Sequence, residues 1–245
     1  FALVGILGLG ACDKLIQSKS AQDAFKAVDG LDRLTQEALL SRDALAREYP
    51  ASMISQHFYA NGTTDPDDDD YRAMVADKFA SYKLTVDGLV DHPLQLSLSD
   101  LKAMPAQTQI TRHDCVEGWS CIGQWTGTPL STVLDQAGVK PSARYVMFYS
   151  YDSMDDGSLS GPTPFYGSID LQGARHPQTI LAYDMNGAPL GIPYGAPLRL
   201  RLERQLGYKM TKYIKRIELV DDFSKIGGGN GGYWEDNGYQ WYAGI

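Results

Sequence analysis

Cysteine is scarce in this chain: 245 residues carry three, Cys12, Cys115 and Cys121. No Cys/His set has zinc-finger spacing, so a structural zinc site is not expected. A single core of this size can bury about three-quarters of its unfolded surface, so no disulfide scaffold is needed either. Positive charge is also in short supply. Lys and Arg number 22 against 30 Asp and Glu, a formal charge of −8 and a pI near 4.9. The bulk positive field that non-specific nucleic-acid binding requires is therefore missing. There is no Cys-x-x-Cys-His haem attachment and no Gly-x-Gly-x-x-Gly opening a helix, so the chain brings no haem or flavin motif of its own. Long apolar runs are absent. The unbroken apolar and glycine stretch over residues 1–11 falls short of the roughly 20 residues that span a bilayer. With 43% apolar and 21% charged residues, the composition excludes a disordered chain and a multi-span membrane protein.

That short apolar run ends in Leu9-Gly10-Ala11-Cys12. It resembles the close of a secretory apolar region and a bacterial lipobox. Residues 1–19 are therefore read as a signal anchor or a lipoprotein-type start with lipid on Cys12. The alternative is a buried helix with a free Cys12. Residues 20–47 place Phe25, Val28, Leu31, Leu34, Leu39 and Leu45 at helical spacing, which predicts a helical arm over residues 20–50 closed by Pro50. The five aspartates of residues 65–70 read as a solvated acidic loop. Beyond Lys83 the period changes. Residues 83–90, 144–151, 198–202 and 214–220 predict strands, residues 130–137 a short helix, and residues 181–187 a strand entering an Asn-Gly turn. The fold class is α+β, one domain over residues 51–245 behind the arm.

The chemistry concentrates in Thr111-Arg112-His113-Asp114-Cys115-Val116-Glu117-Gly118-Trp119-Ser120. A thiol beside Arg112 and His113 predicts a cation-rich setting that favours thiolate. Three readings of Cys115 stand on the residues alone: an inert buried cysteine, a nucleophile served by His113, or a metal ligand. A disulfide from Cys115 to Cys121 would suit an exported protein and would consume the ligand thiol.

Arg112, Cys115-Val116-Glu117-Gly118-Trp119-Ser120, and Trp125-x-Gly127-x-Pro129-Leu130 resemble the signature of the sulfite-oxidase-type molybdopterin oxidoreductases. Residues 181–190, 195–200, 206–218 and 232–245 match further blocks of that family in family order. The resemblance implies a mixed-sheet domain holding a molybdenum-molybdopterin cofactor. It implies Cys115 as metal ligand, with Gln56, Tyr59, Ala60, Ser150, Tyr194, Arg199, Met210, Thr211 and Lys212 around the pterin and its phosphate. Tyr194 stands where the family usually has His or Asn. Arg112 is expected to support the pterin or steer an anionic substrate, joining Arg199 and Lys212 in a positive pocket, with a structural ion pair to Asp114 or Glu117 as the alternative. Glu117 is expected to be a buried hydrogen-bond partner, and Trp119 and Trp125 core aromatics. The activity implied is a two-electron oxygen-atom transfer on a small S-oxide, N-oxide or sulfite-like substrate. A membrane b-type or soluble c-type cytochrome would exchange the electrons, with the protein in the periplasm and tethered by its N-terminus. Two other readings remain open at this point: a non-catalytic periplasmic interaction subunit and a cysteine hydrolase using Cys115 and His113.

Overall fold

The computed structural model describes residues 44–155 and 161–245. The apolar start and nearly all of the expected arm lie outside them. Residues 44–50 are not helical: Glu48 bridges Thr111, and the Tyr49 N–H donates to Ile110 O at 2.9 Å. The expected helix therefore does not include residues 44–47. Pro50 disfavours the helical region for the residue before it, and a free strand edge supplies the hydrogen bonds instead.

Two five-stranded sheets form the domain. The first runs β2 (Leu94–Ser97), β1 (Lys83–Gly88), β10 (Ile214–Val220), β5 (Tyr145–Met154), β6 (Thr163–Asp170). It is mixed, since β1 and β10 are parallel and the other pairs antiparallel. The second runs β3 (Gln107–Asp114), β4 (Ser120–Pro129), β7 (Ile180–Met185), β8 (Ala188–Pro189), with β9 (Arg199–Arg201) also on β7. The expected strands and the Asn186-Gly187 turn between β7 and β8 are present. Strands β2, β3, β4 and β6 were not legible: β2 has only four residues, and the alternation of the others is broken by Thr, Gln and Gly.

Helix α1 (Asp69–Ala76) begins inside the acidic run. The Asp68 carboxylate caps it by accepting from Tyr71 N, and Arg72 pairs with Asp67 and Asp69. The aspartates thus sit at the positive end of a helix, a correction to the plain loop. Ser97 and Asp100 form a capping box at the start of α2 (Leu98–Ala103). Helix α3 (Leu130–Ala137) follows Pro129 and ends on Gly138 at φ +66°. Its Leu130, Val133, Leu134 and Ala137 lie on one buried face, the i, i+3, i+4, i+7 stripe of a core-facing helix.

That stripe joins Leu84 and Val86 of β1, Val146 and Phe148 of β5, Ile217 and Leu219 of β10, and Leu198, Leu200 and Leu202 around β9 in the main core. The other side of β5 is covered as well: Met147 packs with Tyr166 and Tyr233 of the C-terminal segment. Two short helices, α4 (Leu171–Ala174) and α5 (Tyr233–Asp236), complete the set among the described residues. The glycine-rich run before α5 folds around Asp236, whose carboxylate accepts from Gly228 N, Asn230 N and Tyr166 Oη. At Gly127 a Cβ would lie 2.2 Å from Leu181 O, so only glycine lets β4 bulge against β7. No helix among the described residues is long and apolar enough to cross a membrane.

Candidate active site

Strand alternation sorts the signature segment. Gln109, Thr111 and His113 of β3 point inward, and Thr108 and Arg112 point out. Arg112 therefore does not join the expected positive pocket. Its side chain is 52% exposed and its Nε donates to Asp114 Oδ2 at 2.9 Å. Cys115 follows the strand in a tight turn, with Cys115 N donating to Trp119 O at 2.9 Å and Gly118 N to Cys115 O at 3.0 Å. The thiol is 8% exposed. Burial pushes its pKa up, opposed by the Glu117 and Val116 backbone N–H groups and aided by the Glu117 carboxylate, so the free thiol is not in the thiolate-favouring setting that the sequence suggested. Cys115 and Cys121 are both free thiols. Glu117 is exposed rather than buried, and accepts from Trp119 Nε1 at 2.9 Å. Trp119 is only half-buried and its ring lies 5.5 Å from that of Tyr59.

Opposite His113 stands β9, where charged and leucine residues alternate. Leu198, Leu200 and Leu202 enter the main core, so Arg199, Arg201 and Glu203 share the other face, also buried. Both guanidiniums lie over the Trp125 ring of β4, Arg201 at 4.2 Å and Arg199 at 5.0 Å from its centroid. Arg201 and Glu203 form a fully buried ion pair, with Nη2 to Oε2 at 2.6 Å and Nε to Oε1 at 3.0 Å. Gln109 Nε2 donates to the same carboxylate at 2.7 Å. Arg201 Nη1 lies 2.9 Å from His113 Nδ1. A guanidinium has only donors, so Nδ1 accepts and the neutral ring carries its hydrogen on Nε2. Burial first, then Arg201, Arg199 and Lys212, hold His113 well below its ordinary pKa, consistent with that neutral form.

The third wall is residues 207–213. A Cβ on Gly207 would fall 2.4 Å from His113 Nε2; the missing side chain lets this turn lie against the imidazole. Met210 is core. Lys212 gives its ammonium to three backbone carbonyls: Asn61 O at 2.7 Å, Pro193 O at 3.2 Å, and Thr63 O. It pins the 61–63 loop, where a direct phosphate contact was expected. Burial and Arg199 push its pKa down to about 7, with Asp152 opposing. Ser150 is likewise engaged, donating to Lys212 O at 2.8 Å. Tyr194 donates to Phe58 O at 3.0 Å, and its own carbonyl accepts from Arg199 Nη1 at 2.9 Å. It anchors the 56–63 loop, in which Phe58 is buried while Gln56, Ala60 and Tyr59, itself 53% exposed, face out.

Six buried polar atoms remain without a partner on these converging segments: Thr111 Oγ1, His113 Nε2, Trp125 Nε1, Arg199 Nε, Arg199 Nη2 and Thr211 Oγ1. Four are N–H donors and two are hydroxyls. An unsatisfied buried donor costs about 1–3 kcal/mol, so this set suits an anionic, acceptor-rich group.

The oxidoreductase molybdopterin binding domain matches residues 72–226. The chain belongs to this family. Two relatives extend the match. A putative protein-methionine-sulfoxide reductase subunit, YedZ1, of Azospira oryzae is 37% identical over 99% of this chain and 84% of its own length. The protein-methionine-sulfoxide reductase catalytic subunit MsrP of Ralstonia nicotianae is 29% identical over 89% of this chain and 68% of its own. Among solved structures, the sulfane dehydrogenase SoxCD from Paracoccus pantotrophus aligns at a TM-score of 0.49 with 24% identity, over 58% of this chain and 38% of that one. The protein is therefore a molybdopterin-dependent oxidoreductase and its cofactor is molybdenum-molybdopterin. The free donors of Arg199, His113 and Thr211 fit that cofactor's phosphate and polar ring edges. Sequence reading missed Arg201, Glu203, Gln109 and the packing role of Gly207. The Leu-Arg-Leu-Arg-Leu-Glu alternation of residues 198–203 was the available signal for the first two, since period-2 charge between leucines marks a strand with two buried faces.

Proposed function

We propose that this molybdenum-pterin enzyme reduces S-oxides, with protein-bound methionine sulfoxide as the leading substrate, in the periplasm. A separate b-type or c-type cytochrome would supply electrons, and the apolar N-terminus would tether the chain to the membrane. The observation that supports the reading most is the unpartnered donor set of Arg199, His113 and Thr211, with His113 packed against Trp119 of the Cys115 turn. It occurs in a chain that matches a methionine-sulfoxide reductase subunit over nearly its whole length.

When bound, the cofactor supplies a metal held by soft sulfur and a two-electron couple. The net reaction breaks the sulfur–oxygen bond. The S-oxide takes two electrons and two protons and leaves as thioether and water. In this reading Cys115 would hold the metal through its sulfur, as a thiolate. Arg199, Thr211 and His113 Nε2–H bind the acceptor-rich cofactor and fix its orientation. Arg201 keeps His113 in the tautomer that can donate. Tyr59, Val116 and Trp119 form a partly exposed apolar lip beside Cys115, suited to the carbon groups flanking a sulfoxide. Glu117 steadies that lip through Trp119 Nε1.

The test is turnover by protein purified from a cofactor-competent host, with a reduced one-electron dye and a panel of S-oxides, N-oxides and sulfite. Dye oxidation by free and protein-bound methionine sulfoxide is expected. Sulfite oxidation without any S-oxide reduction would refute the substrate class. Fractionation of cells carrying the intact N-terminus tests the location; recovery in the cytoplasmic fraction alone would refute it.

A further inference from the structure

A cleft of about 390 Å³, counting its open mouth, lies beside the 61–63 loop and reaches Gly207, whose backbone lies against His113. None of residues 112–119 lines it. Its floor includes Asp152 and Lys212, and Phe165, Tyr208 and Trp234 supply aromatic walls. Asp152 is 6% exposed and its Oδ1 accepts no hydrogen bond. Its backbone is held in place, with Asp152 N donating to Ser150 Oγ at 2.9 Å. The obvious cation, Lys212, has given its ammonium to three carbonyls and makes no ion pair with it.

A buried carboxylate oxygen without a donor is costly, more so than a neutral acceptor. A phosphate cannot satisfy it, since two anions repel. A sulfoxide cannot either, because it offers only acceptors. The complementary group carries N–H donors on a flat ring that stacks on aromatic walls. We propose that Asp152 accepts from the aminopyrimidinone edge of the pterin, in this cleft, and so anchors the end of the cofactor remote from the metal. The donor set of Arg199, Thr211 and His113 then serves the acceptor-rich parts, and the two ends are told apart by hydrogen-bond polarity. This rests on the family's cofactor and not on the proposed substrate.

The test is pterin retention in the holoenzyme. Asp152→Ala and Asp152→Asn are purified, dialysed extensively, and assayed for pterin by fluorescence after oxidative release, alongside molybdenum per chain. Loss of a charge-assisted hydrogen bond predicts pterin release about ten-fold faster or more in Asp152→Ala. A smaller increase is expected in Asp152→Asn, whose carbonyl still accepts and whose shape keeps the fold if the alanine variant fails. Wild-type retention in both variants would overturn the proposal. So would intact retention with a raised KM for S-oxide, which would assign the carboxylate to substrate. Wild-type protein holding no pterin at all would sink the cofactor assignment itself, a distinct result.

Discussion

Replacing Glu203 by Leu removes the carboxylate that neutralises Arg201. Both side chains are fully buried. The variant loses Arg201 Nη2–Oε2 at 2.6 Å, Arg201 Nε–Oε1 at 3.0 Å and Gln109 Nε2–Oε1 at 2.7 Å. What remains for the guanidinium is the Trp125 face at 4.2 Å and one hydrogen bond to His113. Breaking one side of a buried pair costs about 3–5 kcal/mol, because the other charge is left uncompensated. That is a large share of a total stability of about 5–15 kcal/mol, and for a domain of this size corresponds to roughly 10 °C in Tm. Urea unfolding of cofactor-free protein measures it directly. The double variant Arg201→Met/Glu203→Leu should recover most of the loss, since a pair replaced whole by apolar groups is often near neutral. A cost below about 1 kcal/mol for Glu203→Leu, or a double variant no better than the single, would refute the claim that this pair is mutually dependent.

Gly207→Ala should displace the His113 ring, because the new Cβ would sit 2.4 Å from Nε2; the expected cost is about 1–3 kcal/mol of overpacking, read by urea unfolding, with faster pterin loss from the holoenzyme. Lys212 has a folded pKa near 7, below its ordinary value of 10.5. The unfolded chain therefore binds more protons between those values, and this group makes stability rise with pH across that window, by up to ~1.4 kcal/mol per unit. Lys212→Met should flatten that rise in melting curves of cofactor-free protein taken from pH 7 to pH 10. Cys115→Ser should abolish dye-linked turnover and lower molybdenum per chain while pterin stays bound, since a hydroxyl is a poor partner for a soft-sulfur site; wild-type turnover in that variant would remove Cys115 from the metal.

What could be read in the sequence was what depends on local pattern. The apolar run in residues 144–151 became the centre of β5, and residues 130–137 became α3 with its stripe buried. The Asn186-Gly187 pair made its turn. What could not be read depends on which face of a strand a side chain occupies. Arg112 and His113 are neighbours in sequence and were grouped as cations near the thiol, yet β3 sends one to solvent and the other into the core. The same period, applied to residues 198–203, would have put Arg201 and Glu203 beside Arg199. Lys212 illustrates a further limit. Its position was legible, but its three carbonyl partners come from segments 151, 149 and 19 residues away, and no local pattern encodes them. Gly207 shows only as space that a distant imidazole fills.

These buried groups also reverse the sign that the composition suggests. The chain carries −8 overall, yet Arg199, Arg201 and Lys212 meet in its interior with Glu203 and Asp152 as the buried carboxylates beside them. Glu203 is committed to Arg201, which leaves Arg199 with two unsatisfied nitrogens and a pKa pushed down by burial and by Arg201. Charge in that state is expensive, and an anion of about −1.5 to −2, such as a phosphate monoester, offsets it. The interior is built for a charge that the polypeptide does not itself provide. Neutralising Arg199 by substitution with Met should therefore stabilise the cofactor-free protein while weakening pterin retention. An ordinary structural arginine would not give that opposition of effects, since its removal would lower both.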